Sequence, residues 1–219
     1  MSFHKSINNL ISIENTLKLK KTGITIPKII AVSKTFPISE VLPLINHGHV
    51  HYGENKVQEA ISKWTDIKVS FDHIKLHMIG KLQTNKVKFV VPIFDYIHTL
   101  DNIRLAEKIA NEEIKKNKKL KIFIQVNIGS ENQKNGIDIE NLNNFYYQCK
   151  KEFQLDIIGL MCIPPENISP ESYYLEMKKL NTEMLLSELS MGMSNDYIEA
   201  AKNEATFIRI GSKIFGKRV

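Results

Sequence analysis

Short, unbroken apolar runs alternate along this chain with longer stretches whose apolar residues recur at helical spacing. Ile29-Ile30-Ala31-Val32-Ser33, just after Pro27, is the first such run, and a continuous apolar segment suits a parallel strand buried on both faces. Comparable runs follow around His49 to Gly53, at Ile74 to Ile79 closed by Gly80, and at Tyr96 to Thr99. The series continues at Lys121 to Asn127, Leu155 to Met161, Leu189 to Ser194 and Phe207 to Ile210. Residues 5–21 place Ile7, Leu10, Ile11, Ile13, Leu17 and Leu19 on or near one face of a helix. Further helices are expected near 38–47, 55–64, 84–90, 102–116, 170–186 and 196–203, with Asp101 placed to cap the one starting at 102. No helix is assigned between the fifth and sixth runs.

Strands alternating with helices argue for a parallel sheet with helical crossovers. Eight such units closing on themselves make an α/β fold of the (β/α)8 TIM-barrel type. An open, doubly wound sheet would want a glycine-rich turn after its first strand, whereas Ser33-Lys34-Thr35 has no glycine. With no internal repeat or low-complexity linker, residues 1–219 read as one domain, near the small end for such a barrel.

Composition narrows the setting. A hydrophobic content of 42% and a charged content of 25% are ordinary for a globular chain with a sizeable core. No window nears the length of a membrane-spanning helix, and the first residues lack the apolar stretch of a secretory signal. Two cysteines, Cys149 and Cys162, make neither a disulfide framework nor a metal cage, so a reduced cytoplasmic location is expected, with no metal. The net charge of +6 comes from lysine clusters at 18–21, 115–121 and 213–218. No stacking aromatics interleave with them, so a solvated lysine surface is expected rather than a nucleic-acid site.

Catalytic and binding groups of these barrels sit at the C-terminal strand ends, with phosphate sites frequent after strands seven and eight. Those two ends carry Gly192-Met193-Ser194 and Arg209-Ile210-Gly211-Ser212, so Ser194, Gly211 and Ser212 offer hydroxyls and close backbone approach for one phosphate. Lys34 leaves the end of the first apolar strand. A desolvated lysine there has a lowered pKa and attacks carbonyls to form a Schiff base, while the other open reading is an ammonium snorkelling to water. A Schiff-base lysine with a phosphate cradle fits pyridoxal 5′-phosphate (PLP), and equally a sugar-phosphate aldolase. Arg209 is the discriminator, because a charge inside Phe207-Ile208-Arg209-Ile210 must find a partner or reach the barrel mouth. It serves either a structural ion pair or the pyridine nitrogen of a cofactor. His77, His98 and Cys162 read as satisfied core residues, and Glu54 as a candidate polar group at the mouth.

The blocks Ala31-Val32-Ser33-Lys34, Tyr52-Gly53-Glu54-Asn55-Lys56-Val57-Gln58-Glu59 and His77-Met78-Ile79-Gly80-Lys81-Leu82-Gln83-Thr84-Asn85-Lys86 carry a resemblance. So do Gln125-Val126-Asn127, Lys134-Asn135-Gly136, Gly159-Leu160-Met161, Ser190 to Ser194 and Arg209 to Gly216, in that order. Together they resemble the pyridoxal phosphate homeostasis family (the YggS/PROSC type), related to the N-terminal barrel of alanine racemase. The resemblance implies that Lys34 holds PLP as a Schiff base and that Ser194, Gly211 and Ser212 bind its phosphate. It further implies Arg209 at the pyridine nitrogen and Asn55 beside the ring or its 3-hydroxyl. The chain departs from the family at Glu204, where a glycine usually precedes the last strand, and at Leu76, which replaces an aromatic.

The function so implied is a PLP-binding carrier or regulator of the cofactor pool, affecting amino-acid and keto-acid metabolism without a catalytic residue of its own. Apo forms of PLP-dependent enzymes are the expected recipients, with no nucleic-acid or membrane partner, and the protein is expected as a monomer or weak dimer. The alternative is a PLP-dependent amino-acid racemase. That chemistry needs an acid/base group on each face of the substrate, and alanine racemase draws the second from a C-terminal domain for which 219 residues leave no room.

Overall fold

The computed structural model describes residues 4–20, 25–131, 135–166 and 168–216. Lys134 of the Lys-Asn-Gly block, Lys21, and Lys217, Arg218 and Val219 lie outside the described residues. Helix α1 (Lys5–Leu19) leads into β1 (Lys28–Val32), α2 (Ile38–Asn46), β2 (His51–Glu54), α3 (Val57–Ser70) and β3 (Lys75–Met78). Next come α4 (Val87–Ile93), β4 (Tyr96–Leu100), α5 (Ile103–Lys116), β5 (Lys121–Gln125) and α6 (Ile139–Tyr147). The chain ends with β6 (Asp156–Met161), α7 (Glu171–Glu183), β7 (Glu188–Met193), α8 (Tyr197–Lys202), β8 (Phe207–Ile210) and α9 (Ser212–Phe215). The strands close in chain order into one parallel barrel, the (β/α)8 architecture, with Ile29 beside Ile208 and Ile30 beside Arg209 where β1 meets β8.

Strand alternation divides the core in two. Ile29 and Ala31 join the large shell between barrel and helices, whereas Ile30 and Val32 join Tyr96, Phe123, Met161 and Phe207 inside the barrel. The shell also takes Leu105, Ala106 and Ile109 of α5 and Trp64 of α3, all buried. Gly159 lets β6 run close to β7, since a side chain there would meet the backbone carbonyl of Glu188.

Three details differ from the sequence reading. Helix α6 occupies the gap left without one between the fifth and sixth strands, burying only Leu142 and Phe145. Asn102, not Asp101, caps α5: its Oδ1 accepts the Leu105 N–H at 2.9 Å, and Asp101 instead accepts from the Asn102 amide. Helix α3 runs to Ser70, beyond the expected end.

Glu204, the residue that stands in place of the family's glycine, has φ +65°, a left-handed conformation costly for any side chain with a Cβ. Its exposed ion pair with Lys178, 2.8 Å long, offsets little of that cost. Glu204→Gly is therefore expected to stabilise the fold by about 1 kcal/mol, read as a higher urea midpoint. A lower midpoint would show that the ion pair outweighs the strain.

Candidate functional site

The C-terminal rim of the barrel opens into a cavity of about 1020 Å³. Its walls include Lys34, Ser194, Arg209, Gly211 and Ser212, joined by Val32, Phe36 and Ile79. Ile163, Pro164, Pro165 and Ile168, between β6 and α7, supply an apolar side that the sequence reading did not anticipate. Five of the six expected residues thus share one space. Asn55 is not among its walls. It stands at the next strand end with its backbone against Gly80, where a Cβ would lie 2.7 Å from the Asn55 Cα. Its buried Oδ1 has no hydrogen-bond partner among the described residues.

Lys34 sits on a turn that its neighbours hold from below. Ser33 Oγ donates to Glu54 Oε1 at 2.8 Å, and Lys63 Nζ donates to the Ser33 carbonyl at 2.8 Å and to Glu54 Oε1 at 2.9 Å. Trp64 Nε1 donates to the same oxygen at 3.0 Å. The next residue, Thr35, has φ +69° and gives its N–H to Glu59 Oε1 at 2.5 Å. Glu54 is wholly buried and faces α3, so it supports the lysine turn and does not reach the mouth. The Glu59–Lys63 spacing of i,i+4 was visible in the sequence; its reach back to Ser33 was not.

Arg209 is buried, and no carboxylate lies within ion-pair distance of it among the described residues. The structural ion pair is therefore set aside. Its Nη1 donates to Ser190 Oγ at 2.7 Å and its Nη2 to the Cys162 carbonyl at 2.9 Å. Burial draws its pKa down, opposed by Cys162, Tyr174 and Asp196. The guanidinium offers donors only.

The last two strand ends differ in their support. After β7, Asp196 Oδ1 accepts the Met193 N–H at 2.6 Å and its Oδ2 accepts the Tyr174 hydroxyl at 2.7 Å, which fixes the Ser194 turn. Gly192 has φ +88° and packs against Ala200 and Tyr197, a position that requires glycine. After β8, Gly211 lies 3.4 Å from Val32 by its would-be Cβ and opens the turn that carries Ser212. Burial pushes the Cys162 thiol up to about 12, so it is inert packing behind the cavity rather than one of its walls. His77 and His98 lie inside the barrel, hydrogen-bonded to one another at 2.8 Å. Among the described residues no cluster of side chains suits a metal ion.

The profile of the family described as alanine racemase, N-terminal domain, matches residues 9–219, which gives the class of barrel. The curated pyridoxal phosphate homeostasis protein of Aquifex aeolicus is 37% identical over 87% of this chain and 87% of its own. That of Haemophilus influenzae is 34% identical over 96% and 94%. The chain belongs to the pyridoxal phosphate homeostasis protein family. Among solved structures, PipY of Synechococcus elongatus PCC7942 with PLP bound superposes with a TM-score of 0.86 at 31% identity, covering 96% of this chain and 100% of that one.

Proposed function

We propose that this chain is a single-domain, cytoplasmic PLP-binding protein that carries or regulates the cofactor pool, with apo PLP-dependent enzymes as recipients. The observation that carries the reading is the shared cavity: a lysine from β1 and two serines, a glycine and an arginine from β7 and β8 face one space. The residues fit the group. Lys34 supplies the amine for a Schiff base, Ser194, Gly211 and Ser212 the phosphate contacts, and Arg209 a donor to the ring nitrogen. Asn55 is assigned to the ring or its 3-hydroxyl on the family resemblance; its Oδ1, without a partner among the described residues, is free to accept there once the wall beside it yields. When bound, PLP supplies an electrophilic aldehyde and a ring able to accept electrons. Arg209 cannot give the ring nitrogen a proton, so that electron-accepting power stays weak. No described helix is long and apolar enough to cross a bilayer.

Negligible turnover follows. Loaded protein incubated with L-alanine in deuterated water is expected to leave Cα protiated, while an apo-enzyme mixed with it regains activity. Deuterium at Cα with D-isomer accumulating at about 1 s⁻¹ or faster would instead establish the racemase.

The phosphate contacts have their own test. Replacing Ser194 and Ser212 together by alanine is expected to weaken PLP by roughly 1.5–3 kcal/mol per lost bond to the charged phosphate, and to leave phosphate-free pyridoxal nearly unaffected. Equal losses for both ligands would assign the serines to the fold.

A further inference from the structure

A chain of hydrogen bonds threads the barrel from one mouth to the other. Arg209 Nη1 meets Ser190 Oγ at 2.7 Å, and Ser190 Oγ meets His98 Nδ1 at 2.9 Å. His98 Nε2 meets His77 Nδ1 at 2.8 Å, and His77 Nε2 meets His51 Nδ1 at 3.0 Å. His51 opens β2 and lines a second cavity of about 500 Å³ at the N-terminal mouth, with Lys28, His47 and His49. The rings are held in register by stacking: His77 on Tyr96 at 4.1 Å and 9°, His98 on Phe123 at 4.3 Å and 21°. His77, His98 and Ser190 are wholly buried.

The direction of this chain follows from its arginine end. A guanidinium only donates, so Ser190 Oγ accepts from Arg209 and keeps its own proton for His98 Nδ1. His98 then carries its proton on Nε2 and donates to His77 Nδ1. His77 likewise donates from Nε2 to His51 Nδ1, leaving the His51 proton on Nε2. Run the other way, Ser190 would accept from both Arg209 and His98, and its buried hydroxyl proton would have no acceptor among the described residues. A buried donor left unmade is the costlier state.

We infer that His51, His77, His98 and Ser190 are positioning residues forming a one-way hydrogen-bond relay that fixes the Arg209 guanidinium beneath the cofactor site. The relay also blocks protons at the far mouth. A proton from that side would have to sit on His51 Nδ1, which already accepts from His77, and every ring behind it would have to change tautomer. The consequence is a row of neutral rings inside the barrel, ending on the buried Arg209 cation.

The direct test reads the imidazole nitrogens of the cofactor-free, ¹⁵N-labelled protein by long-range ¹H–¹⁵N correlation at neutral pH. His51, His77 and His98 are each expected as the Nε2–H tautomer. Ser190→Ala is expected to turn both His98 and His77 into tautomer mixtures, although Ser190 touches only the first. Ser190→Thr, which keeps the hydroxyl, is expected to restore the single tautomer. An Nδ1–H or doubly protonated ring in the wild-type protein would overturn the relay, and this holds even where Ser190→Ala does not fold. An unchanged His77 in folded Ser190→Ala would overturn it as well.

The positioning role rests on Arg209 facing the cofactor, and a PLP titration separates the two readings. Ser190→Ala is expected to lose about fivefold or more in PLP affinity and Ser190→Thr to recover it. Unchanged affinity alongside scrambled tautomers would overturn the positioning role. Failure of the wild-type protein to bind PLP would sink the proposed function while leaving the tautomer result standing.

Discussion

Replacing Lys34 by alanine is expected to abolish the visible absorbance of the PLP-loaded protein and to leave only weak binding through the proposed phosphate contacts. The reason is positional. Lys34 follows Ser33 just past a strand whose last residues, Ile30 to Val32, are buried, and it lines the same cavity as Arg209 and Ser212. Its turn is held by Ser33 and Thr35 against Glu54, Glu59 and Lys63, so the backbone that carries the amine is fixed at the cavity. Lys34→Arg is expected to fail equally, because a guanidinium forms no Schiff base at ordinary pH. Borohydride reduction followed by peptide mapping decides the matter. A reduced adduct on another lysine, or undiminished absorbance in Lys34→Ala, would reject the assignment.

Mild acid is expected to destabilise the fold steeply, and the buried rings give the sign. Burial, with the neighbouring His98 and His51, holds His77 well below the ordinary imidazole value. Burial, with Arg209 and His51, does the same to His98. His51 is lowered to about 4, chiefly by burial. In the unfolded chain each of these rings takes a proton near 6.5. Between that value and its folded pKa the unfolded state binds more protons, so stability is fully present above pH 6.5 and falls as pH drops. Each of His77 and His98 contributes a slope of up to ~1.4 kcal/mol per pH unit. Over two units that is several kcal/mol, a large part of a typical domain's 5–15 kcal/mol. Urea titrations at pH 7.5, 6 and 5 measure it. His77→Gln should flatten the slope by about one proton. A stability flat across that range would mean the rings are cationic in the folded protein.

What was legible in the sequence was whatever a local pattern carries. Unbroken apolar runs such as Ile29 to Val32 announce strands buried on both faces. A lysine or serine just after such a run lies at a strand end, which is why Lys34, Ser194 and Ser212 stand out as candidates from sequence alone. Helix α6 escaped because its sequence, Ile-Glu-Asn-Leu-Asn-Asn-Phe-Tyr-Tyr, is rich in poor helix formers and buries only two residues. Asn102 and Asp101 are both good caps, and only backbone geometry chooses between adjacent ones. The relay was beyond reach for a different reason. His98 and Ser190 are 92 positions apart, and their meeting depends on the stagger of strands around a closed barrel. Single histidines on apolar strands look alike whether isolated or joined.

The pairing of β1 with β8 has a bearing on biosynthesis. Lys34 belongs to the first strand's end and Arg209, Gly211 and Ser212 to the last, so the site's two halves are neighbours only across the seam that closes the barrel. A nascent chain exposes its lysine early, while the groups proposed to seat the phosphate are still inside the ribosome. Domains fold as units once their elements are available, and here the strand that closes the barrel is also the one that completes the site. Under the proposed function, loading with cofactor would report a closed barrel: a translation product halted before β8 would hold the reactive amine without Arg209, Gly211 and Ser212 beside it.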